Sequence, residues 1–479
     1  MPKKILQTVI RRKKYIAFFI LAIFLYLGIG ATVPFLHTKP MENTSRADEL
    51  VSQAMTDRDS PDRAKILETN QSAWDERIRL IHQAESEIIL TTFDMREGES
   101  TSDILAMLYQ KAEEGVRVRI LVDGISGFLR MRNTPLFYTA ASHENIEIRL
   151  YNELNILLPW KSMGCMHDKY LMIDSKAYVL GGRNTFDYFI GDYETDGKSF
   201  DREILIYNTE PQNTDSSVYQ LKTYFEKIWN YDECTVYENN NISEDEKKEY
   251  QIFLKERYEK IKGTNPEFFE TYDYMTDTVP TKGVTLFSND IHIYAKEPAV
   301  FYELTQLMKQ AEREVYFHTP YAVLDERMKD AMNEVCRQVP VTLMVNAIEN
   351  GDNLVASSDY TWHRQDVLDT GVSLLEYMGG TSYHGKSLVI DEKLAIVGSY
   401  NLDMRSTYVD TELMLVVRGE EISRQLKENM ETLHGDCRKV KKDGSQEIPP
   451  SIKEQHISGG KKVLLRSLGL IMQVFRVFV

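Results

Sequence analysis

The chain has 479 residues, 42% of them hydrophobic, and a formal net charge of −16. That length is ample for a large buried core, and at ~150 residues per domain it suggests about three domains. The acidic balance argues against a protein whose main ligand is duplex nucleic acid, since that needs a basic face.

Taken in order, the chain opens on Lys3, Lys4, Arg11, Arg12, Lys13 and Lys14, then runs uncharged from Tyr15 to about Leu36. A bilayer takes about 20 apolar residues to cross. Residues 1–36 therefore read as a transmembrane anchor. The basic cluster ahead of the span favours a cytoplasmic N-terminus, with the rest of the chain outside the cytoplasm. Residues 37–66 are polar and charged and read as a linker. A first domain is expected over 67–243. It begins with a helical pattern at 73–84 and a strand at 86–93. A second helix follows over 103–114, stopped by Gly115, and strands follow over 116–122 and 146–151. Strands alternating with helices predict an α/β fold with a mostly parallel sheet flanked by helices. Residues 244–285 form a charged connector, helical over 244–262. A second domain over 286–445 retraces the first, because 311–317 matches 84–90 and a helix (326–338) and strands (339–345, 372–377) recur in the same order. The tail, 446–479, breaks at Ser458-Gly459-Gly460 and then mixes Lys461, Lys462, Arg466 and Arg476 with Leu, Ile, Val and Phe. That composition reads as a basic amphipathic helix lying on anionic lipid.

The chemistry lies in a duplicated motif. His167-Asp168-Lys169 runs through an apolar stretch to Asp174, and after six intervening residues comes Gly181-Gly182-Arg183-Asn184. Tyr383-His384-Gly385-Lys386 runs likewise to Asp391, and after six intervening residues comes Gly398-Ser399-Tyr400-Asn401. The apolar stretches read as short buried strands, so each histidine shares a strand face with the lysine two residues on. The four cysteines, Cys165, Cys234, Cys336 and Cys437, form no C-x-x-C pair and no dense disulfide framework. Cys165 lies two residues before His167 and reads as a buried spectator.

This duplicated H-x-K-x4-D pattern with its G-[GS]-x-N sequel resembles the phospholipase D superfamily. Asp187 and Phe189 after the first copy, and Leu402-Asp403-Met404-Arg405-Ser406 with Glu412 after the second, resemble its bacterial cardiolipin-synthase branch. Gly164-Cys165-Met166 departs from the basic or Asn-Arg run often found before the first histidine in that branch. A single span also departs from the two spans common there. The resemblance implies two tandem repeats with the active site at their pseudo-twofold interface.

A phosphodiester repels nucleophiles, so its cleavage needs positive charge, a nucleophile and a proton donor for the leaving alcohol. His167, Lys169, Asp174, His384, Lys386 and Asp391 are the expected catalytic residues. Asn184, Asn401, Gly182 and Ser399 are the expected phosphate contacts. The motif aspartates could equally be structural, bonding backbone at the motif turn. The two histidines are interchangeable from sequence alone; the resemblance implies His167 as nucleophile and His384 as general acid. Each imidazole needs an acceptor on its other nitrogen. Glu412 is the expected partner of His384, and Glu203 is its first-repeat equivalent, with Asp201 a close competitor. His318 and His363 lack counterparts in the other repeat and read as structural or cleft-lining. No metal-ligand spacing is found and no cofactor is implied. The implied activity is transfer of a phosphatidyl group through phosphohistidine, with phosphatidylglycerol the implied lipid. Hydrolysis of phospholipids, or a nuclease of the same superfamily, is the alternative. The expected partners are phospholipids and a membrane surface, not nucleic acid.

Overall fold

The computed structural model describes residues 3–237, 242–452 and 457–479, with side chains from residue 13 onward. The side chains of Lys3, Lys4, Arg11 and Arg12, the end of the first expected domain at 238–241 and tail residues 453–456 lie outside the described residues.

Two nine-stranded sheets carry the chain, and they share one strand order. Across the first run Val279–Pro280, Asp62–Leu67, Glu203–Asn208, Ala177–Gly181, Tyr170–Ile173, Glu87–Thr92, Arg117–Asp123, Ile146–Tyr151 and Cys234–Val236. In the second, Val284–Ser288, Leu413–Arg418, Leu394–Gly398, Ser387–Ile390, Val315–His318, Val341–Asn346, Ser373–Tyr377 and Cys437–Val440 take the places from Asp62–Leu67 onward, and Gln446–Glu447 closes the far edge. The α/β duplication expected from the sequence is present, but the sheets are mixed. Parallel pairing is confined to three strands in each sheet, those starting at Glu87, Arg117 and Ile146 and those starting at Val315, Val341 and Ser373. The reason is local. Only residues 174–176 separate the two motif strands of the first repeat, and only 391–393 those of the second. So short a connection returns the chain antiparallel.

Those turns explain Asp174 and Asp391. Both have left-handed backbones, φ 49° and 55°, a conformation that short polar residues tolerate better than most. The Asp174 carboxylate accepts from the amides of Glu85, Ser86 and Glu87 at 2.8–3.0 Å. Asp391 accepts from those of Glu312, Arg313 and Glu314 at 2.7–3.0 Å. Each aspartate thus pins the motif hairpin to the start of the neighbouring parallel strand, at the strand end remote from the lysine. Expected among the catalytic residues, both carboxylates instead hold the fold. Asp174→Ala or Asp391→Ala should lower unfolding free energy by about 2–3 kcal/mol through lost charge-assisted hydrogen bonds, read as a shift in denaturant midpoint.

The segment 37–66 is more than a linker. Its helix Ser45–Met55 buries Ala47, Val51 and Ala54 at helical spacing, the last two in the core of the second repeat, and Asp62–Leu67 is a strand of the first sheet. Both were hidden by polar composition, because the buried positions are few. The charged helix Glu244–Thr264 is likewise not fully solvated. Leu254, Tyr258 and Ile261 pack it onto the first repeat, and Arg257 pairs with Glu99 at 2.7 Å.

The N-terminal helix Lys3–Thr32 contributes to a 23-residue segment, Lys13–Phe35, long and apolar enough to cross a bilayer, with 6% of its most apolar stretch buried. The tail helix Gly459–Met472 docks on the helix Leu354–Asp369. The Trp362 indole donates to the Arg466 carbonyl at 3.1 Å, Gly469 lies against that indole, and Leu465 is buried. Its outer side leaves Val463, Leu464, Leu470 and Ile471 exposed.

Candidate active site

The two repeats meet through a reciprocal crossing. Met166, just before the first motif histidine, bridges in parallel to Thr411, just before Glu412. Ser382–Tyr383, just before the second, pairs in parallel with Ser199–Phe200, just before Asp201. The backbone ties are regular: Thr411 N to the Cys165 carbonyl at 2.9 Å, and His384 N to the Phe200 carbonyl at 2.7 Å. Each histidine is thereby set beside a carboxylate of the opposite repeat. His167 Nδ1 lies 2.8 Å from Glu412 Oε1, and His384 Nδ1 lies 2.7 Å from Asp201 Oδ2. Both carboxylates are fully buried.

His167, His384, Asn184 and Asn401 line one cleft of about 440 Å³, along with Phe93 and Tyr321. A larger hollow of about 770 Å³, bordered by Tyr224, Gln220 and Asn289, contains none of the motif histidines, lysines or asparagines. Each lysine folds back on its own histidine. Lys169 Nζ donates to the His167 carbonyl, and Lys386 Nζ lies 2.7 Å from His384 Nδ1. Phe93 packs edge-on to the His167 ring at 5.2 Å, and Phe189 reaches across from the first repeat to the His384 ring at 5.0 Å.

The electrostatics differ between the halves. Burial, with Lys169, Lys386 and His384 nearby, pushes the His167 imidazole well below its ordinary range. Its partner Glu412 is pushed well up by burial, against the pull of Lys169 and Ser399. Burial and Lys386 also lower His384, but Asp201 opposes them. Asp201 itself, despite burial, is held far below the carboxylate range by Lys386, His384 and Arg183. So His384 faces an ionised carboxylate that favours its protonated form, and His167 does not. Burial brings Lys169 down to about 7 and Lys386 to about 8.

Several expected assignments change. Glu412 serves His167, not His384. Glu203 touches neither histidine; it forms a bidentate, buried pair with Arg77 at 2.6 and 2.8 Å. Strand register gives the reason. Glu203 pairs with Gly181 while Met414 pairs with Gly398. Glu203 is thus the equivalent of Met414, and Asp201, two residues earlier, is the equivalent of Glu412. Gly182 and Ser399 stand behind the carboxylates instead of contacting a phosphate. A Cβ on Gly182 would lie 2.5 Å from Asp201 Oδ1, and Ser399 Oγ donates to Glu412. Glu203→Ala would strand the Arg77 charge in the interior, an error worth about 3–5 kcal/mol. Its unfolding midpoint should fall while the pH profile of the folded fraction stays unchanged.

Cys165 is buried, with its thiol beside the Arg405 guanidinium at 3.0 Å. His318 is buried against His434 at 3.0 Å, and His363 bonds Asp366 and Gln473, each at 2.8 Å. None of these three lines the cleft.

The family described as "Cardiolipin synthase, PLD-like domain" matches residues 78–229 and 304–434. The chain belongs to this family. Among curated proteins it is 25% identical to a cardiolipin synthase of Clostridium perfringens over 361 residues, 74% of this chain and 67% of that one. It is 22% identical to an uncharacterized protein of Helicobacter pylori over 427 residues, 80% and 82% of the two chains. Among solved structures, the phosphatidylserine synthase of Haemophilus influenzae superposes with a TM-score of 0.65 at 13% identity, covering 91% of this chain and all of that one. That likeness is one of fold, and it accords with the phospholipase D-like duplication.

Within this phospholipase D-like frame, sequence reasoning passed over four groups at the cleft. Phe93 and Tyr321 sit outside the motifs and carried no spacing signal. Arg405 was visible in the second motif's tail; its guanidinium is tied to Asp410 at 2.8 Å. Phe478, in the tail, also lines the cleft, and composition could not have placed it there.

Proposed function

We propose that the chain is a membrane-anchored phosphatidyltransferase acting through a phosphohistidine, with phosphatidylglycerol as donor and acceptor and cardiolipin as product. The observation that carries this reading is the pairing of two cleft histidines with buried carboxylates from opposite repeats. The family and the cardiolipin synthase relatives support the lipid assignment.

In this reading Glu412 accepts a hydrogen bond from Nδ1–H of neutral His167, so the Nε2 lone pair is free for phosphorus. As the P–Nε2 bond forms and the P–O bond breaks, protonated His384 gives its proton to the departing glycerol oxygen. The second phosphatidylglycerol then loses a hydroxyl proton to His384 and attacks phosphorus, and the P–N bond breaks to restore His167. Lys169, Lys386, Asn184 and Asn401 hold the non-bridging oxygens. Asp201 keeps His384 able to carry its proton.

The lysines add a pH dependence. In the empty cleft they lose charge through about pH 7 to 8, and a neutral amine does not attract an anion. The inhibition constant of sulfate, a tetrahedral anion whose charge is fixed over this range, should therefore rise, that is, binding should weaken, between pH 6.5 and 9 by roughly ten-fold per lost charge contact of about 1.4 kcal/mol. An unchanged constant over that range would remove the lysines from phosphate binding.

The segment Lys13–Phe35 is the proposed anchor, with the N-terminus cytoplasmic and the two repeats on the other side. The exposed apolar side of the tail helix would add a second contact with the surface. The deciding experiment is lipid mass spectrometry on phosphatidylglycerol vesicles with wild type and His167→Ala. Cardiolipin from wild type alone supports transfer. Phosphatidic acid without cardiolipin makes the enzyme a hydrolase, and unchanged lipid sends the search to other diesters.

A further inference from the structure

The N-terminal helix does not leave the body of the protein at the end of its apolar segment. The Tyr26 phenol donates to the Leu157 carbonyl at 2.6 Å. At Gly30 the backbone lies so close to Pro159 that a Cβ would sit 2.6 Å from its ring. Both contacts fall inside the segment Lys13–Phe35. Tyr26 is nine residues before its end, or about 13 Å at the 1.5 Å helical rise. A loop held at that depth lies below the bilayer surface whenever the helix spans it.

Residues 154–160 suit that position. They read Leu-Asn-Ile-Leu-Leu-Pro-Trp, with Glu153 and Lys161 bounding an uncharged stretch. Leu154, Ile156 and Leu157 are 43%, 62% and 80% exposed, apolar side chains clustered on one loop, and such a contiguous exposed apolar patch marks an interaction surface. Backbone can enter hydrocarbon only if its polar groups are satisfied within the protein, and here the amides of Asn155, Leu157 and Leu158 find such partners. Asn155 Oδ1 accepts from the amides of Leu157 and Leu158 at 3.1 and 3.0 Å, Ser162 Oγ caps the Asn155 amide at 3.1 Å, and Pro159 has no N–H. The bounding charges turn back onto protein: Lys161 pairs with Glu233 at 2.7 Å, and Glu153 with Arg132 at 3.2 Å. Beside Arg132, the turn Gly127–Met131 leaves Phe128 and Leu129 exposed.

We infer that the loop 154–160, with Phe128 and Leu129 at its flank, inserts into the acyl region of the bilayer beside the N-terminal helix. The insertion rests on the reading of that helix as a membrane span. Its consequence is placement. His167 lies seven positions after Trp160, and Phe35 at the end of the apolar segment packs edge-on to the cleft-lining Phe478 at 5.5 Å. The cleft is thereby set at the bilayer surface, so a lipid can reach the histidines without leaving the membrane.

The test uses the full chain reconstituted in phosphatidylglycerol vesicles, with tryptophan introduced as Leu157→Trp or, as a control on the exposed side of the charged helix, Ile252→Trp. Acyl-chain-brominated phosphatidylglycerol should quench the emission added at 157, and aqueous iodide should not; at 252 the two quenchers should exchange roles. Emission at 157 quenched by iodide and spared by brominated lipid overturns the insertion. Leu129→Trp, at the flank, gives a second reading should the first variant fold poorly. Protein lost from the vesicles in an alkaline wash overturns the anchor and the insertion together. Since no readout depends on lipid turnover, failure of the proposed transfer reaction would show separately, in the mass spectrum alone.

Discussion

With a p-nitrophenyl phosphodiester as substrate, His384→Ala should release one equivalent of nitrophenolate per enzyme and then stall, while His167→Ala should release none. Nitrophenolate leaves without protonation, so formation of the phosphohistidine survives loss of the general acid. Breakdown needs a base for the incoming oxygen, and His384 is that base. Loss of general acid–base catalysis costs about 10²- to 10⁴-fold. Steady-state turnover of His384→Ala should fall within that range, with phosphate covalently held on His167. Loss of the nucleophile removes the pathway itself, and His167→Ala should fall at least about 10⁴-fold, as for other nucleophiles acting in a unit. Rapid-quench kinetics of nitrophenolate, with peptide mapping of the labelled histidine, reads both. A burst from His167→Ala and none from His384→Ala would exchange the roles.

Glu412→Gln should slow the burst itself, and Asp201→Asn should spare the burst and slow the turnover after it. Glutamine keeps the shape of Glu412 and can still bond Ser399, whose hydroxyl donates to the carboxylate in the native protein. It no longer offers two equivalent acceptors to the imidazole, so His167 can turn to the wrong tautomer. In a histidine of comparable geometry elsewhere, the worked case of a serine protease, the amide replacement of the orienting carboxylate costs about 10⁴ in kcat. An effect of about 10²- to 10⁴-fold is expected here on the burst rate. Asp201→Asn removes the negative charge that favours protonated His384, so the acidic limb of the kcat profile, set by His384 as the base, should also move to lower pH. If Glu412→Gln leaves the burst intact and Asp201→Asn abolishes it, each carboxylate serves the other histidine and the crossed pairing is wrong.

The crossed pairing also marks where reasoning from sequence stopped. Asp201 and Glu203 are both candidates from the sequence, since a two-residue offset keeps side chains on the same strand face. Both candidates therefore fit the period-2 pattern of a strand. Register resolved them, because Gly181 pairs with Glu203 whereas Gly398 pairs with Met414. Gly182 and Ser399 were misjudged for a related reason. Their small size serves close approach, but of a carboxylate from their own repeat and not of a ligand. The helix Ser45–Met55 escaped notice because three buried side chains among charged neighbours carry little hydrophobic periodicity.

By itself the sequence determined the duplication, the alternation of helices and strands, and the identity of the two histidines, two lysines and two asparagines. These are local properties: a histidine and lysine two apart on a strand share a face wherever that strand is placed, and a six-residue interval repeated twice needs no partner to be seen. Only the tertiary structure decided which carboxylate orients which histidine. His167 and Glu412 are 245 residues apart, and His384 and Asp201 are 183 apart. Contacts over such separations depend on how two sheets dock across a pseudo-twofold, and no spacing within either repeat encodes that. The same holds for the loop 154–160. Its apolar side chains can be read from the sequence, but its place beside the N-terminal helix follows from a hydrogen bond with Tyr26, 131 residues earlier in the chain.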